Sequence, residues 1–184
     1  MITIEELQDI WRLVSRLHNG QKYGGSAPGE QIEYLNHVGS VTFEMLHAIQ
    51  LEPAMNAGLA VKCALLHDTI EDTSVSYQDI LQLFGNEVAE GVSALTKNTD
   101  IQPKELQMED SIRRIKLQPK EVWAVKLADR IVNLYAPPYY WNEEKKTQYL
   151  EEAKLILKEL KAGNAYLAQR LEQKINAYSK FIST

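Results

Sequence analysis

The chain has a single cysteine, Cys63, so it cannot close a disulfide within itself. Cys63 lies in the apolar run "AVKCALL" and reads as a small buried hydrophobe. That usage fits a reducing compartment, and a cytoplasmic protein is expected. No apolar run approaches the roughly 20 residues that span a bilayer, so no membrane partner is expected. The opening "MITIEELQDI" is acidic and interrupted and does not resemble a signal peptide. A basic excess is also missing. The formal net charge is −5, which argues against a nucleic acid polymer as partner but leaves room for a small anionic ligand, because a local metal or lysine cluster can outvote the global charge. There is no internal repeat, no low-complexity stretch, no strictly alternating apolar run and no "GxSxG" nucleophile motif.

What is present is helical spacing. The 184 residues suffice for one domain, and an all-α fold of about 8–10 helices is expected. Thr3 with Glu6 forms a capping-box start for a helix over 4–17, whose stripe is Ile4, Leu7, Ile10, Trp11, Val14 and Leu17. Residues 19–30, "NGQKYGGSAPGE", hold four of the nine glycines and read as an irregular loop. Further helices are expected over 32–48, 56–71, 77–84 (capped by Ser76 and closed by Gly85), 86–96, 104–117, 119–134, 142–160 and 165–181. Pro137 and Pro138 end the helix before them.

One stretch breaks the apolar logic. "ALLHDTIEDT", Ala64–Thr73, begins as a core helix and then places His67, Asp68, Glu71 and Asp72 within six positions. Residues four apart share a helix face, so His67 is expected over Glu71 and Asp68 over Asp72. Three crowded carboxylates raise one another's pKa unless a cation intervenes. A divalent metal relieves the repulsion and accepts both imidazole nitrogen and carboxylate oxygen. Two other elements are unusual. Lys126, Asp129, Arg130 and Asn133 follow i, i+3, i+4, i+7 on an otherwise apolar helix, and His37 sits in an apolar context in "EYLNHVGSV". Alone, the first reads equally as a solvated stripe and the second as a core histidine bonded to backbone.

The order His37, His67-Asp68, Asp129 resembles the H…HD…D metal signature of the HD phosphohydrolase superfamily. "LHNGQ", "EYLNHV", "ALLHDTIEDT", "FGNEVAEGVSALTK" and "VKLADRIVNL" resemble, in the same order, the hydrolase domain of RelA/SpoT-type proteins and the small alarmone hydrolases, which remove the 3′-pyrophosphate of (p)ppGpp. The resemblance implies a single HD domain over 1–184, with a motif-bearing core over about 18–135 and C-terminal helices over about 142–182. It implies His37, His67, Asp68 and Asp129 as ligands of a divalent metal, Mn²⁺ in most of the family. It implies Glu71 and Asp72 as the acidic pair that handles the attacking water. On the substrate side it implies Asn133 against the nucleoside and Lys97 near phosphate. Lys126 and Arg130, on the same stripe, and Lys22 and Tyr23, in the loop, complete the expected substrate-contact set.

The chemistry suits such a set. Metal-bound water has a pKa lowered from about 15.7 toward neutrality, and a nearby carboxylate can accept its proton. The sequence departs from the resemblance at one place. A basic pair that follows the "HxxQ" segment in alarmone hydrolases falls on Tyr23 and Gly24, with Lys22 one position early. Tyrosine can stack on a base but carries no positive charge. Hydrolysis of another nucleotide, or a non-catalytic metal-held binding module, therefore stand as alternatives, and the oligomeric state is left open.

Overall fold

The computed structural model describes residues 2–103 and 106–182. Helix α1, Ile4–Leu17, starts at the expected capping box: Thr3 Oγ1 accepts from the Glu6 N–H at 3.1 Å and Glu6 Oε2 accepts from the Thr3 N–H at 3.0 Å. Ile10 and Val14 are buried, while Ile4 and Trp11, assigned to the same stripe, are exposed.

The expected loop over 19–30 contains ordered β-structure. Strand β1, Lys22–Gly24, pairs antiparallel with β2, Gln31–Glu33, with Lys22 opposite Glu33, Tyr23 opposite Ile32 and Gly24 opposite Gln31. Three residues per strand are too few to show an alternating pattern, which is why the sequence hides them. The pairing also takes Ile32 out of the second helix, so α2 spans Tyr34–Leu51.

The expected continuous helix over 56–71 is interrupted at the site. Helix α3, Ala57–Leu66, begins at Asn56, whose side chain accepts from the Leu59 N–H. The backbone leaves helical geometry at Asp68 (φ −105°, ψ 1°), and a single turn, α4, Thr69–Asp72, follows. Helices α5, Tyr77–Phe84, and α6, Asn86–Leu95, meet at Gly85, whose φ of +83° suits glycine. Helix α7 is described over Leu106–Ile115, so the expected start at Lys104 lies outside the described residues.

Helix α8, Lys120–Asn133, is the axis of the molecule. It follows Pro119, which sits just before the first turn, and packs against α2, α3, α6, α9 (Glu143–Leu160) and α10 (Ala165–Tyr178). Its residues from Ala124 to Val132 are buried on every side, so the polar stripe Lys126, Asp129, Arg130 is not a solvated face. A buried charge needs a partner, and each of the three has one. A 3₁₀ turn, Lys161–Gly163, joins α9 to α10 and lies against Trp123 and Ala124, where a Cβ on Gly163 would meet the Trp123 Cβ at 2.7 Å. Among the described residues, no helix is long and apolar enough to cross a membrane.

Candidate active site

Three buried helices deliver four groups to one point. His37 comes from the first turn of α2, His67 and Asp68 from the break after α3, and Asp129 from the middle of α8. The two Nε2 atoms of His37 and His67 face each other at 3.1 Å. Asp68 Oδ2 lies 2.8 Å from His67 Nε2 and 3.4 Å from His37 Nε2, and Asp129 Oδ1 lies 3.5 Å from His37 Nε2. His67 Nδ1 lies 2.8 Å from the Ala64 carbonyl oxygen, which can only accept, so that nitrogen carries a hydrogen and Nε2 is the ring atom turned to the cluster, where a metal would replace its proton.

The break in the helix makes this possible. A continuous helix would have stacked His67 over Glu71 and Asp68 over Asp72. The turn at Asp68 instead sends His67 and Asp68 to the His37 side, and α4 carries Glu71 and Asp72 on the adjoining wall.

The electrostatics follow from burial opposed by close partners. Burial would raise the Asp68 carboxyl, but His67 and His37 outweigh it and hold Asp68 well below the ordinary range. Burial likewise acts to raise Asp129, and Lys126, His67 and His37 hold it far below. His67 is disfavoured as a cation by burial, yet Asp68 and Asp129 lift it to about 9. The cluster therefore gathers positive charge between its carboxylates. A divalent cation does the same and replaces the proton. The donor set passes a geometric test as well: neighbouring ligands on an ion with bonds of about 2.0–2.2 Å lie roughly 3.0–3.4 Å apart, close to the separations seen here. His37, His67 and Asp129 offer donor atoms all within 4.8 Å of one another.

A second set of groups orients the first. Tyr34 Oη donates to Asp68 Oδ2 at 2.5 Å. Lys126 Nζ donates to Asp129 Oδ2 at 2.9 Å, and the Asn133 amide donates to Asp129 Oδ1. Glu71 accepts from the Lys97 backbone N–H at 2.9 Å, with the Lys97 ammonium 3.6 Å away. Half-burial and the charge of Asp68 raise the Asp72 carboxyl above its ordinary value. The Asp72 carbonyl accepts from Gln21 Nε2 at 2.7 Å, and Gln21 Oε1 lies 2.7 Å from His18 Nδ1. His18 stacks on Tyr34 at 5.1 Å between ring centroids, so α1 is tied to the site through three side chains.

The cluster forms the floor of a cavity of about 640 Å³. Of the expected substrate contacts, Tyr23, Lys97, Lys126, Arg130 and Asn133 line it, whereas Lys22 does not. Lys22 reaches across the hairpin to Glu33 at 3.0 Å. Arg130 is 3% exposed; its guanidinium lies 3.1 Å from Glu152 and stacks over the Tyr149 ring at 4.2 Å. Tyr34, missed in the sequence, stands three residues before His37 and so on the same helix face, which is the signal that could have found it.

The HD domain family model matches residues 11–171, and the chain belongs to that family of hydrolases. Within it, the chain falls in the branch of the guanosine-3′,5′-bis(diphosphate) 3′-pyrophosphohydrolases named MESH1. It is 30% identical over 154 residues to the Drosophila melanogaster protein, covering 78% of this chain and 80% of that one. It is 28% identical to the Danio rerio protein over 78% and 79% of the two chains. A solved metazoan orthologue of SpoT, described as hydrolysing ppGpp, superposes with a TM-score of 0.79 at 25% identity over 96% of this chain and 97% of that one. The family implies dependence on a divalent metal, in keeping with the donor set.

Proposed function

We propose that the chain is a guanosine polyphosphate 3′-pyrophosphohydrolase that works with Mn²⁺ held by His37, His67, Asp68 and Asp129. The observation that carries this reading is the convergence of two imidazole Nε2 atoms and two carboxylates in one cavity. When bound, the metal lowers the pKa of a water and offsets charge on the phosphoryl group. Asp72 accepts one water proton. Glu71, pinned by Lys97, holds the water in line. The water oxygen bonds to the phosphorus next to the sugar, the bond to the 3′ oxygen breaks, and that oxygen takes up a proton as pyrophosphate leaves. Lys126 and Asn133 keep Asp129 ionised and fixed in orientation, while Tyr34 does so for Asp68. Tyr23 and Asn133 border the nucleoside. The chain acts as one HD unit over 1–184 on a small anionic nucleotide in the cytoplasm.

Purified protein loaded with Mn²⁺ is expected to release pyrophosphate from ppGpp, and Asp68→Ala is expected to abolish both release and metal retention. Absence of release from ppGpp, with metal bound at one equivalent, would overturn the assignment of substrate.

A further inference from the structure

Helix α2 is 18 residues long, and apart from two histidines its one charged residue is Glu44. Glu44 is already taken: Arg170 of α10 binds both of its oxygens, at 2.8 and 2.6 Å. The outward face of α2 is therefore bare of charge. It carries Phe43 at 68% exposure and Leu46 at 43%. Charged side chains are what normally keep such a face in water, and a large exposed apolar patch marks an interaction site.

Helix α1 continues this face. His18, just past its end, stacks on Tyr34 at the start of α2. A Cβ on Gly39 would meet the Trp11 ring at 3.7 Å and the Phe43 ring at 4.0 Å. The two helices thus run antiparallel, and their exposed rings converge over one glycine. Ile4, two turns before Trp11 and on the same side, is 59% exposed. Beside the apolar stripe of α1 runs a charged one: Glu5, Asp9, Arg12 and Arg16, at i, i+4, i+7 and i+11, all exposed. Its order is acid, acid, base, base. Turned end for end about a point between Ile10 and Trp11, the stripe meets its own complement, with Glu5 opposite Arg16 and Asp9 opposite Arg12. The helix macrodipole favours acids early and bases late, but it does not call for an uncharged aromatic stripe next to them. Within the chain the pattern gives Arg12 to Asp9 at 2.7 Å, and both are so exposed that the pair is worth little.

A face that is apolar at its centre, charged at its border and complementary to itself under a two-fold axis has the anatomy of an isologous interface. We infer that α1 and α2 form a docking surface for a second copy of this chain. Helix α1 lies antiparallel to its counterpart, Trp11 sits at the two-fold axis, and Glu5 and Asp9 face the basic end of the partner's helix. Ile4, Trp11, Phe43 and Leu46 leave about 400 Å² of side chain bare on each copy. With the ionic border added, the two copies together reach the roughly 1,000 Å² at which specific interfaces begin. A contact of that size makes a weak dimer that forms with rising concentration.

Sedimentation velocity of the purified full chain, from about 5 to about 500 µM, is the test. A reversible monomer–dimer equilibrium is expected, with a Kd on the order of 10–100 µM. Phe43→Glu puts a charge on the bare face at a largely exposed position, and the variant is expected to stay monomeric throughout with its circular dichroism spectrum unchanged. Arg16→Glu sets like charges against each other at both borders and is expected to weaken the dimer at least about tenfold. Adding Glu5→Arg to that variant reverses the whole border and is expected to restore the dimer, which damage to the fold could not do. A wild-type chain that stays monomeric to about 500 µM would overturn the inference and leave the face to a different protein. So would a dimer indifferent to Phe43→Glu, a pair of charge reversals without rescue, or growth beyond the dimer, which a closed two-fold contact forbids.

Discussion

At the scale of single residues, the site depends on side chains that touch no substrate. Tyr34 is the clearest case. Burial and the charge of the Asp68 carboxylate it serves push the hydroxyl pKa far above the usual tyrosine value, so it remains a donor at any working pH. Tyr34→Phe keeps the ring stack on His18 but removes that donor. Metal affinity is expected to weaken about 10–100-fold, as outer-shell changes commonly do, with thermal stability in excess metal nearly unchanged. A metal titration on wild type and variant checks this. Identical affinities would mean that Asp68 is oriented by its imidazole neighbours alone. His37, His67, Asp68 and Asp129 stood out in the sequence as polar residues in apolar runs, and the resemblance to the HD family grouped them. Tyr34 did not, because a tyrosine beside a helix start has many ordinary uses.

At the scale of elements, the end of α6 governs where Lys97 meets Glu71. Arg114 on α7 donates to the carbonyls of Ser93 at 2.6 Å, Ala94 at 3.2 Å and Thr96 at 2.7 Å, satisfying the acceptors that a helix end leaves open. Asp110 holds Arg114 from the same helix at 2.8 Å. Arg114→Met is expected to destabilise the fold by about 2 kcal/mol, since several charge-assisted bonds are lost from a half-buried position, and to lower kcat by loosening Lys97. Denaturant melts and steady-state assays read the two effects separately. The same cluster sets a pH dependence. Arg114, aided by Arg113, pulls the Asp110 carboxyl below its ordinary value despite some burial. A carboxyl depressed in the folded state stabilises the fold above the unfolded-chain pKa of about 3.9, and that contribution disappears as pH falls through the folded value. The Tm gap between wild type and Asp110→Asn is therefore expected to be full near pH 6 and to close in the acid range below about pH 4. A gap constant across that range would exclude Asp110 as the titrating group.

At the scale of the whole molecule, α8 is both the core and the site. Helices α2, α3, α9 and α10 bury it, and the price of burying Asp129 there is met by Lys126, Asn133 and the imidazoles. Metal binding should consequently be readable as fold stability. With free metal at a hundredfold its Kd, mass action adds about 2.7 kcal/mol, or roughly 5–10 °C of Tm for a domain of this length. Complete chelation is expected to lower Tm by that amount in the wild type and to leave Asp68→Ala unmoved. An unchanged wild-type Tm after verified metal removal would show that the carboxylates are balanced by protons instead.

The sequence by itself determined the helical class, most helix positions, the caps at Thr3 and Ser76, and the placing of His37, His67, Asp68 and Asp129 in apolar runs, which the resemblance to the HD family grouped. These are local properties: periodicity, capping chemistry and residue type in an apolar context. Tertiary structure alone decided three things. It broke the 56–71 helix at Asp68, because His67 and Asp68 must turn toward His37 and Asp129 on other helices. It paired Lys22–Gly24 with Gln31–Glu33, a register set by contacts seven or more residues apart. It also gave Lys97 and Arg130 to Glu71 and Glu152, partners 26 and 22 residues away. Charge in a sequence counts what a cavity contains, and only the fold shows how much of it is still unpaired.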